Sequence, residues 1–263
     1  MTRNIFLITG ASDGIGAVYA ERLARRGDDL VLVARRADRL AALAAQLTSD
    51  HGITVEILAA DLSQADGLAK VEARLREDAS ITGLVNNAGI AGDGPITALD
   101  PAHATGMINL NILAVTRLAA AIAPRLAASG KGTIINITSV TALMPDAFTA
   151  VYPATKAFVL AFTEALHAQL SPAGVRVQGV LPGITRTAIW EEEKLETIPA
   201  AMVMDVNEMV DAALAGLDLG EVLTVPSLPD NADLDAFLAA RSALRPNLSR
   251  AHAAARYGLA KSE

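Results

Sequence analysis

Apolar positions along this 263-residue chain follow two alternating rhythms. Short, nearly unbroken apolar runs occupy 4–9, 29–34, 53–60, 81–86, 133–138, 175–181 and 221–225. Turn-forming Gly, Pro, Asp or Ser residues punctuate the loops around them, so each run reads as a strand. Longer Ala- and Leu-rich stretches with helical spacing lie between the runs and predict helices over 14–27, 37–50, 64–77, 101–129, 152–171 and 206–218. Strands as continuously apolar as LVLVA at 30–34 must be covered on both faces. The pattern therefore predicts an α/β chain with a doubly wound, parallel, seven-stranded sheet in one domain over 1–225. Residues 226–263 are expected to form a C-terminal extension of that domain.

Composition narrows the function classes. With 52% hydrophobic and 19% charged residues the chain has enough apolar surface for a large core and is neither disordered nor fibrous. It contains no cysteine, which removes disulfides, thiolate nucleophiles and thiolate metal sites; a cytoplasmic setting is expected, and no metal site. A formal charge of −7 without any basic stripe argues against nucleic acid as a partner. Arg117 and Arg125 interrupt the longest apolar stretch, and the run at 5–8 is too short for a secretory leader. Neither a membrane span nor a signal segment is expected.

The first strand runs straight into Thr9-Gly10-Ala11-Ser12-Asp13-Gly14-Ile15-Gly16 and then a helix. That is where a dinucleotide pyrophosphate rests on a helix N-terminus in a Rossmann fold. Gly10 permits the tight turn, Gly14 the approach of backbone to phosphate, and Gly16 close packing of helix on sheet. Ser12, Asp13 and Ile15 between them complete the expected cofactor loop. About 20 residues further on, where a carboxylate would hold the ribose hydroxyls of NAD, stand Arg35 and Arg36. Their guanidinium forks suit a 2′-phosphate, so NADP is expected, with NAD possible. The competing reading makes them two solvated arginines opening a helix, with Asp38 close by.

Candidate chemistry lies in the second half. Tyr152 and Lys156 share one face of a predicted helix, and Ser139 closes the preceding strand at the sheet edge where open α/β folds bind ligands. Alone, a tyrosine and lysine four apart are as well explained by packing and snorkelling.

Together, TGASDGIG, Asn86-Asn87-Ala88-Gly89, Asn111, Ser139, Tyr152xxxLys156 and Pro182-Gly183 resemble the short-chain dehydrogenase/reductase family in order and spacing. The spacing Gly10xxxGly14xGly16 is similar to that of its compact single-domain branch. The resemblance implies an oxidoreductase acting on a small carbonyl or alcohol compound, with Tyr152 as general acid/base. A positive charge ~4 Å away is worth ~4 kcal/mol at an effective dielectric of ~20. Lys156 and an oxidised nicotinamide would thus draw the phenol from its usual value near 10 toward neutrality.

By the same resemblance Ser139 would orient the substrate oxygen and Lys156 would grip the nicotinamide ribose. Asn111 would hold a water joined to that lysine, although Asn109 competes for the assignment. Asp61 and Leu62 would contact adenine, Asn87, Ala88 and Gly89 the adenine ribose, and Asn86 would be structural. After Pro182 and Gly183, Thr185 or Thr187 would bond the carboxamide, Thr187 being the better placed. Asp13 departs from the pattern, since many NADP-preferring relatives carry a basic residue there. A non-catalytic dinucleotide-binding sensor or scaffold is the competing reading of the whole.

The resemblance puts a substrate lid at about 185–205, with Met144, Phe148, Trp190 and Met202 as candidate pocket residues. The charge run from Glu191 to Lys194 reads as a solvated helix face. Apolar Phe158, Ala161, Phe162 and Ala165 leave the Tyr152 helix apolar almost all round, which predicts a homodimer or homotetramer. In the extension, Asn231 or Asp233 would cap a short helix carrying Leu234, Phe237 and Leu238 as an apolar stripe.

Overall fold

The computed structural model describes residues 3–92, 94–147, 149–187 and 195–259. The chain divides into two compact units, Met1–Ser227 and Leu228–Glu263. The first contains β1 (Ile5–Thr9), α1 (Gly14–Arg25), β2 (Asp29–Ala34), α2 (Ala37–His51), β3 (Val55–Ala59), α3 (Ala65–Glu77), β4 (Ile81–Asn86), α4 (Pro101–Ile108), α5 (Val115–Ser129), β5 (Gly132–Ile137), α6 (Val151–Leu170), β6 (Val175–Val180), α7 (Val206–Leu219) and β7 (Leu223–Thr224).

All seven strands run parallel in the order β3-β2-β1-β4-β5-β6-β7. The chain winds outward from β1 and then returns to β4, so the topological switch lies between β1 and β4, where ligands bind in this architecture. Each face of the sheet has its own core. Tyr19 and Leu23 of α1, Leu40 and Leu47 of α2, and Met209 and Leu214 of α7 cover one face. Leu68 and Leu75 of α3, Leu118 and Ile122 of α5, and Leu166 of α6 cover the other. The predicted doubly wound sheet is thus the observed one.

Two local departures have physical causes. The expected last strand shrinks to the two residues that pair with β6, Leu223 opposite Gly179 and Thr224 opposite Val180. The expected helix over 101–129 is continuous but changes winding: Asn109–Ala114 forms a π-helical turn between α4 and α5. Such turns insert a residue into the helical ladder and mark functional sites. Asn111 lies inside this one. Despite Arg117 and Arg125, the run Pro101–Ser129 is long and apolar enough, by length and composition alone, to cross a bilayer. Here its α5 portion covers the sheet through Leu118, Ile122 and Leu126.

The second unit contains α8 (Ala232–Ala243) and two single 3₁₀ turns, Arg245–Asn247 and Ala255–Tyr257. Asn231 precedes the helix without a side-chain cap; the Asp230 carboxylate accepts the Ala232 N–H instead, at 2.9 Å. Of the expected stripe only Leu234 is buried, and Phe237 is half exposed.

Candidate active site

A cleft of about 920 Å³ opens along the C-terminal edge of the sheet. Its walls include Gly10, Asp13, Gly14 and Ile15 after β1, Arg35 and Arg36 after β2, and Asn87, Ala88 and Gly89 after β4. Ser139, Tyr152, Lys156, Pro182, Gly183, Thr185 and Thr187 line it from β5, α6 and the segment after β6. Residues far apart in sequence therefore share one space.

The glycine loop is shaped by close approach. Gly10 has φ +67°, and a Cβ on Gly16 would lie 2.4 Å from the Gly10 carbonyl oxygen, so the first turn of α1 presses on the loop itself. Thr9 fixes the other side. Its hydroxyl donates to the Val85 carbonyl and accepts the N–H groups of Asn87 and Ala88, each at 3.0 Å. The Asn87 side chain donates to the Thr9 carbonyl at 2.9 Å, which makes it a brace of the loop as well as a wall of the cleft. The result is an α1 N-terminus with backbone exposed toward the cleft, a cradle of the kind a dinucleotide phosphate fills.

Asp13 caps α1 by accepting the Gly14 N–H at 2.8 Å. Its carboxylate is also paired with Arg39 at 2.7 Å and Arg36 at 3.4 Å, and Arg36 donates to the Ser12 hydroxyl at 3.0 Å. The charge that opposes a phosphate on sequence grounds is thus met by two arginines, of which Arg39 was not foreseen. A guanidinium one helical turn after Arg35 and Arg36 is the signal that pointed to it. Asp61 and Leu62 lie outside the residues lining the cleft. Burial raises the Asp61 carboxyl, but hydrogen bonds from the Ser63 hydroxyl and N–H, with the Arg35 charge, more than offset it and hold the group below its usual range. Leu62 is buried in the core.

At the other end, α6 carries Tyr152 and Lys156 one turn apart. Lys156 Nζ lies 5.7 Å from the centre of the Tyr152 ring and donates to the Ile137 carbonyl at 2.9 Å. Burial lowers its ammonium to about 8. Burial also raises the Tyr152 phenol above its usual value, while a hydrogen bond shared with Ser139 opposes the rise. The expected downward direction is that of Lys156 acting together with an oxidised nicotinamide; in the protein alone, loss of water outweighs the opposing effect of Ser139. Ser139 sits at the end of β5 as the cap of a 3₁₀ turn, its Oγ accepting the Thr141 N–H at 3.2 Å.

Asn111, not Asn109, reaches this group. Its amide donates to the Ile90 carbonyl at 2.9 Å and to the Thr155 hydroxyl at 3.1 Å, and accepts the Ile90 N–H at 3.0 Å. Thr155 in turn donates to the Tyr152 carbonyl at 2.8 Å. Asn86 is buried away from the cleft, where it donates to Asn136, which donates to Thr163 of α6. Thr185 and Thr187 both face the cleft. Thr185 is pinned by a parallel bridge to Met204, and Thr187 stands where a Cβ on Gly14 would come within 3.3 Å of it. Sequence reasoning missed the remaining wall, which includes Ala91, Leu99, Asp100, His103, Val140 and Thr149. The Asp-Pro pair at 100–101, a helix-start signature, was the available clue. Met144 and Met202 are exposed and do not line the cleft. Phe148, Trp190 and the charge run after it lie outside the described residues.

Comparison with known proteins decides the family. The model of the short chain dehydrogenase family matches residues 4–197. The chain belongs to that family. A short-chain dehydrogenase from Sphingobium yanoikuyae, solved in complex with NADPH, is 51% identical, with a TM-score of 0.93 over 97% of this chain and 99% of that one. A bulky-bulky ketone specific alcohol dehydrogenase from Comamonas testosteroni is 46% identical, with a TM-score of 0.91 over 98% and 99%. The very-long-chain 3-oxoacyl-CoA reductase-A of Danio rerio is 37% identical over 193 residues, 72% of this chain and 60% of that protein. The chain thus spans about three fifths of the length of the curated relatives it matches.

Proposed function

We propose that this short chain dehydrogenase is an NADP(H)-dependent oxidoreductase that interconverts a ketone and a secondary alcohol. The observation that carries the reading is that Tyr152, Ser139 and Lys156, the last one helical turn from the tyrosine, line one cleft continuous with the glycine-loop cradle after β1. Bound in that cradle, the dinucleotide supplies the hydride in reduction and accepts it in oxidation. Tyr152 gives the substrate oxygen its proton in reduction and takes it back in oxidation. Ser139 holds that oxygen, and Lys156 grips the ribose hydroxyls. Asn111 fixes the loop at Ile90 and the first turn of α6, and with a water links Lys156 to solvent.

Arg35 and Arg36 at the end of β2 support NADP over NAD, and the NADPH complex of the 51%-identical relative agrees with that choice. Asp61 and Leu62 contact the adenine, the first through its carboxylate and the second through its backbone amide. Pro182, Gly183, Thr185 and Thr187 supply the carboxamide contacts. A homodimer or homotetramer is supported by Ile108, Leu113 and Phe158, which stand 46, 42 and 38% exposed on the α4–α5 run and α6, with Phe158 stacked on Phe162 at 5.8 Å.

The test is consumption of NADPH with a panel of ketones, wild type against Tyr152→Phe. Loss of turnover by at least about 10³-fold in the variant, with NADPH affinity retained, supports the assignment. Retention of activity within about tenfold, roughly 1.4 kcal/mol of barrier, removes Tyr152 from the role.

A further inference from the structure

Charge is distributed unevenly along the cleft. The sheet order puts the loops after β2 and β1 at one end and those after β4 and β5 at the other. Arg35 and Arg36 stand at the first end. Lys156, beside Tyr152 in the cleft wall, is buried and donates to the Ile137 carbonyl. Among the described lining residues at the second end, past Tyr152, the one carboxylate is Asp100, and there is no lysine or arginine.

Two of the polar side chains there are also engaged. The His103 Nε2 group pairs with the Ala91 carbonyl at 3.1 Å, and the Thr149 hydroxyl donates to the Gly92 carbonyl at 3.1 Å. Thr141 offers a neutral hydroxyl, buried and without a partner among the described residues. Asp100 uses one carboxylate oxygen to cap α4 through the Ala102 N–H at 3.0 Å. Its second oxygen has no partner among the described residues.

We infer that Asp100 is a specificity-determining residue that turns the substrate end against anions, so that the enzyme takes uncharged carbonyl compounds and discriminates against oxo-acids. The inference rests on the oxidoreductase reading and names the substrate class of the same site. A carboxylate on the substrate would meet the exposed Asp100 carboxylate as a like charge and would find no lysine or arginine to pair with among the described lining residues of that end, penalties that water and salt screen only in part. A ketone or ester of the same shape incurs none of them. Selection of this kind works by a repulsive element as much as by contacts made.

The experiment compares an aryl ketone carrying a ring carboxylate with the methyl ester of the same acid, using NADPH and the full-length chain. The ester is expected to have a kcat/KM at least about tenfold higher, the difference lying mainly in KM, and added salt should narrow the gap. Asp100→Asn keeps the helix cap, because asparagine caps as well as aspartate. That variant is expected to narrow the ester-to-acid ratio about fivefold and to remove most of its salt dependence. Equal kcat/KM for acid and ester in the wild type, or a ratio unchanged by Asp100→Asn, overturns the inference while leaving the oxidoreductase reading intact. Failure to turn over either compound or any neutral ketone overturns both.

Discussion

The Lys156 ammonium donates to the Ile137 carbonyl oxygen at 2.9 Å, and both residues are buried. One hydrogen bond does not replace a hydration shell, so burial brings the group from its ordinary 10.5 to about 8. Below pH 8 the folded chain bears the whole cost of the buried charge. Between about 8 and 10.5 the unfolded chain binds more protons, so this group makes stability rise with pH across that window. Lys156→Met is therefore expected to raise the melting temperature by several degrees at pH 7 and by several-fold less at pH 10. Paired thermal melts across pH check it; a gain independent of pH would contradict the buried charge.

Gly16→Ala introduces a methyl group 2.4 Å from the Gly10 carbonyl oxygen, a backbone atom that cannot swing aside. The first turn of α1 must move off the loop. NADPH affinity should fall at least about tenfold, a loss of 1.4 kcal/mol or more, with a lower melting temperature. Fluorescence titration decides, and affinity within twofold of wild type would show that the cradle tolerates the shift.

Arg35→Ala should weaken NADPH by about tenfold or more and leave NADH nearly unchanged, as removal of a charge-assisted hydrogen bond to a phosphate does. Arg39→Ala should weaken NADPH less, by freeing the Asp13 carboxylate from its 2.7 Å partner. Equal losses for both dinucleotides would assign these arginines a structural role.

Asn111→Ala leaves the carbonyl and N–H of Ile90 without their partner, while the Thr155 hydroxyl keeps its bond to the Tyr152 carbonyl. Each orphaned buried group costs about 1–3 kcal/mol. Both stability and turnover should fall, and Asn111→Asp should not rescue them, because a carboxylate facing the Ile90 carbonyl repels it. Calorimetry with steady-state kinetics separates the two effects.

Phe158→Glu places a charge on the exposed apolar face of α6. Sedimentation at micromolar concentration should give a wild-type dimer or larger assembly and a monomeric variant. A monomeric wild type would sink the assembly proposal.

The sheet and its order of helices were legible because each strand is a short apolar run and each helix a longer periodic one. The glycine loop was legible from its place after the first strand, whereas Ser139, Tyr152 and Lys156, which share the cleft, were singled out by the joint order of motifs in the family resemblance and not by spacing alone. The π turn at Asn109–Ala114 left no trace, since an inserted ladder residue does not alter an already apolar pattern. Pairing of Asp13 with Arg39 spans 26 residues and depends on how α2 lies against α1, which periodicity does not encode. Asp100 escaped notice because the segment before α4 has no period, and His103 because the face that α4 turns to the cleft is set by the tertiary fold.

The Thr9 hydroxyl joins β1 to residues 78 and 79 positions away. A nascent chain that has emerged only as far as β3 carries the whole glycine motif but nothing to hold it, because the strand that closes its flank is still to come. The cradle forms when the second half of the sheet docks on the first, a long-range closure that is slow relative to local helix formation. Dinucleotide binding then stabilises the finished chain and not its partly made precursors, so cellular cofactor supply acts on this protein as a selector of completed molecules.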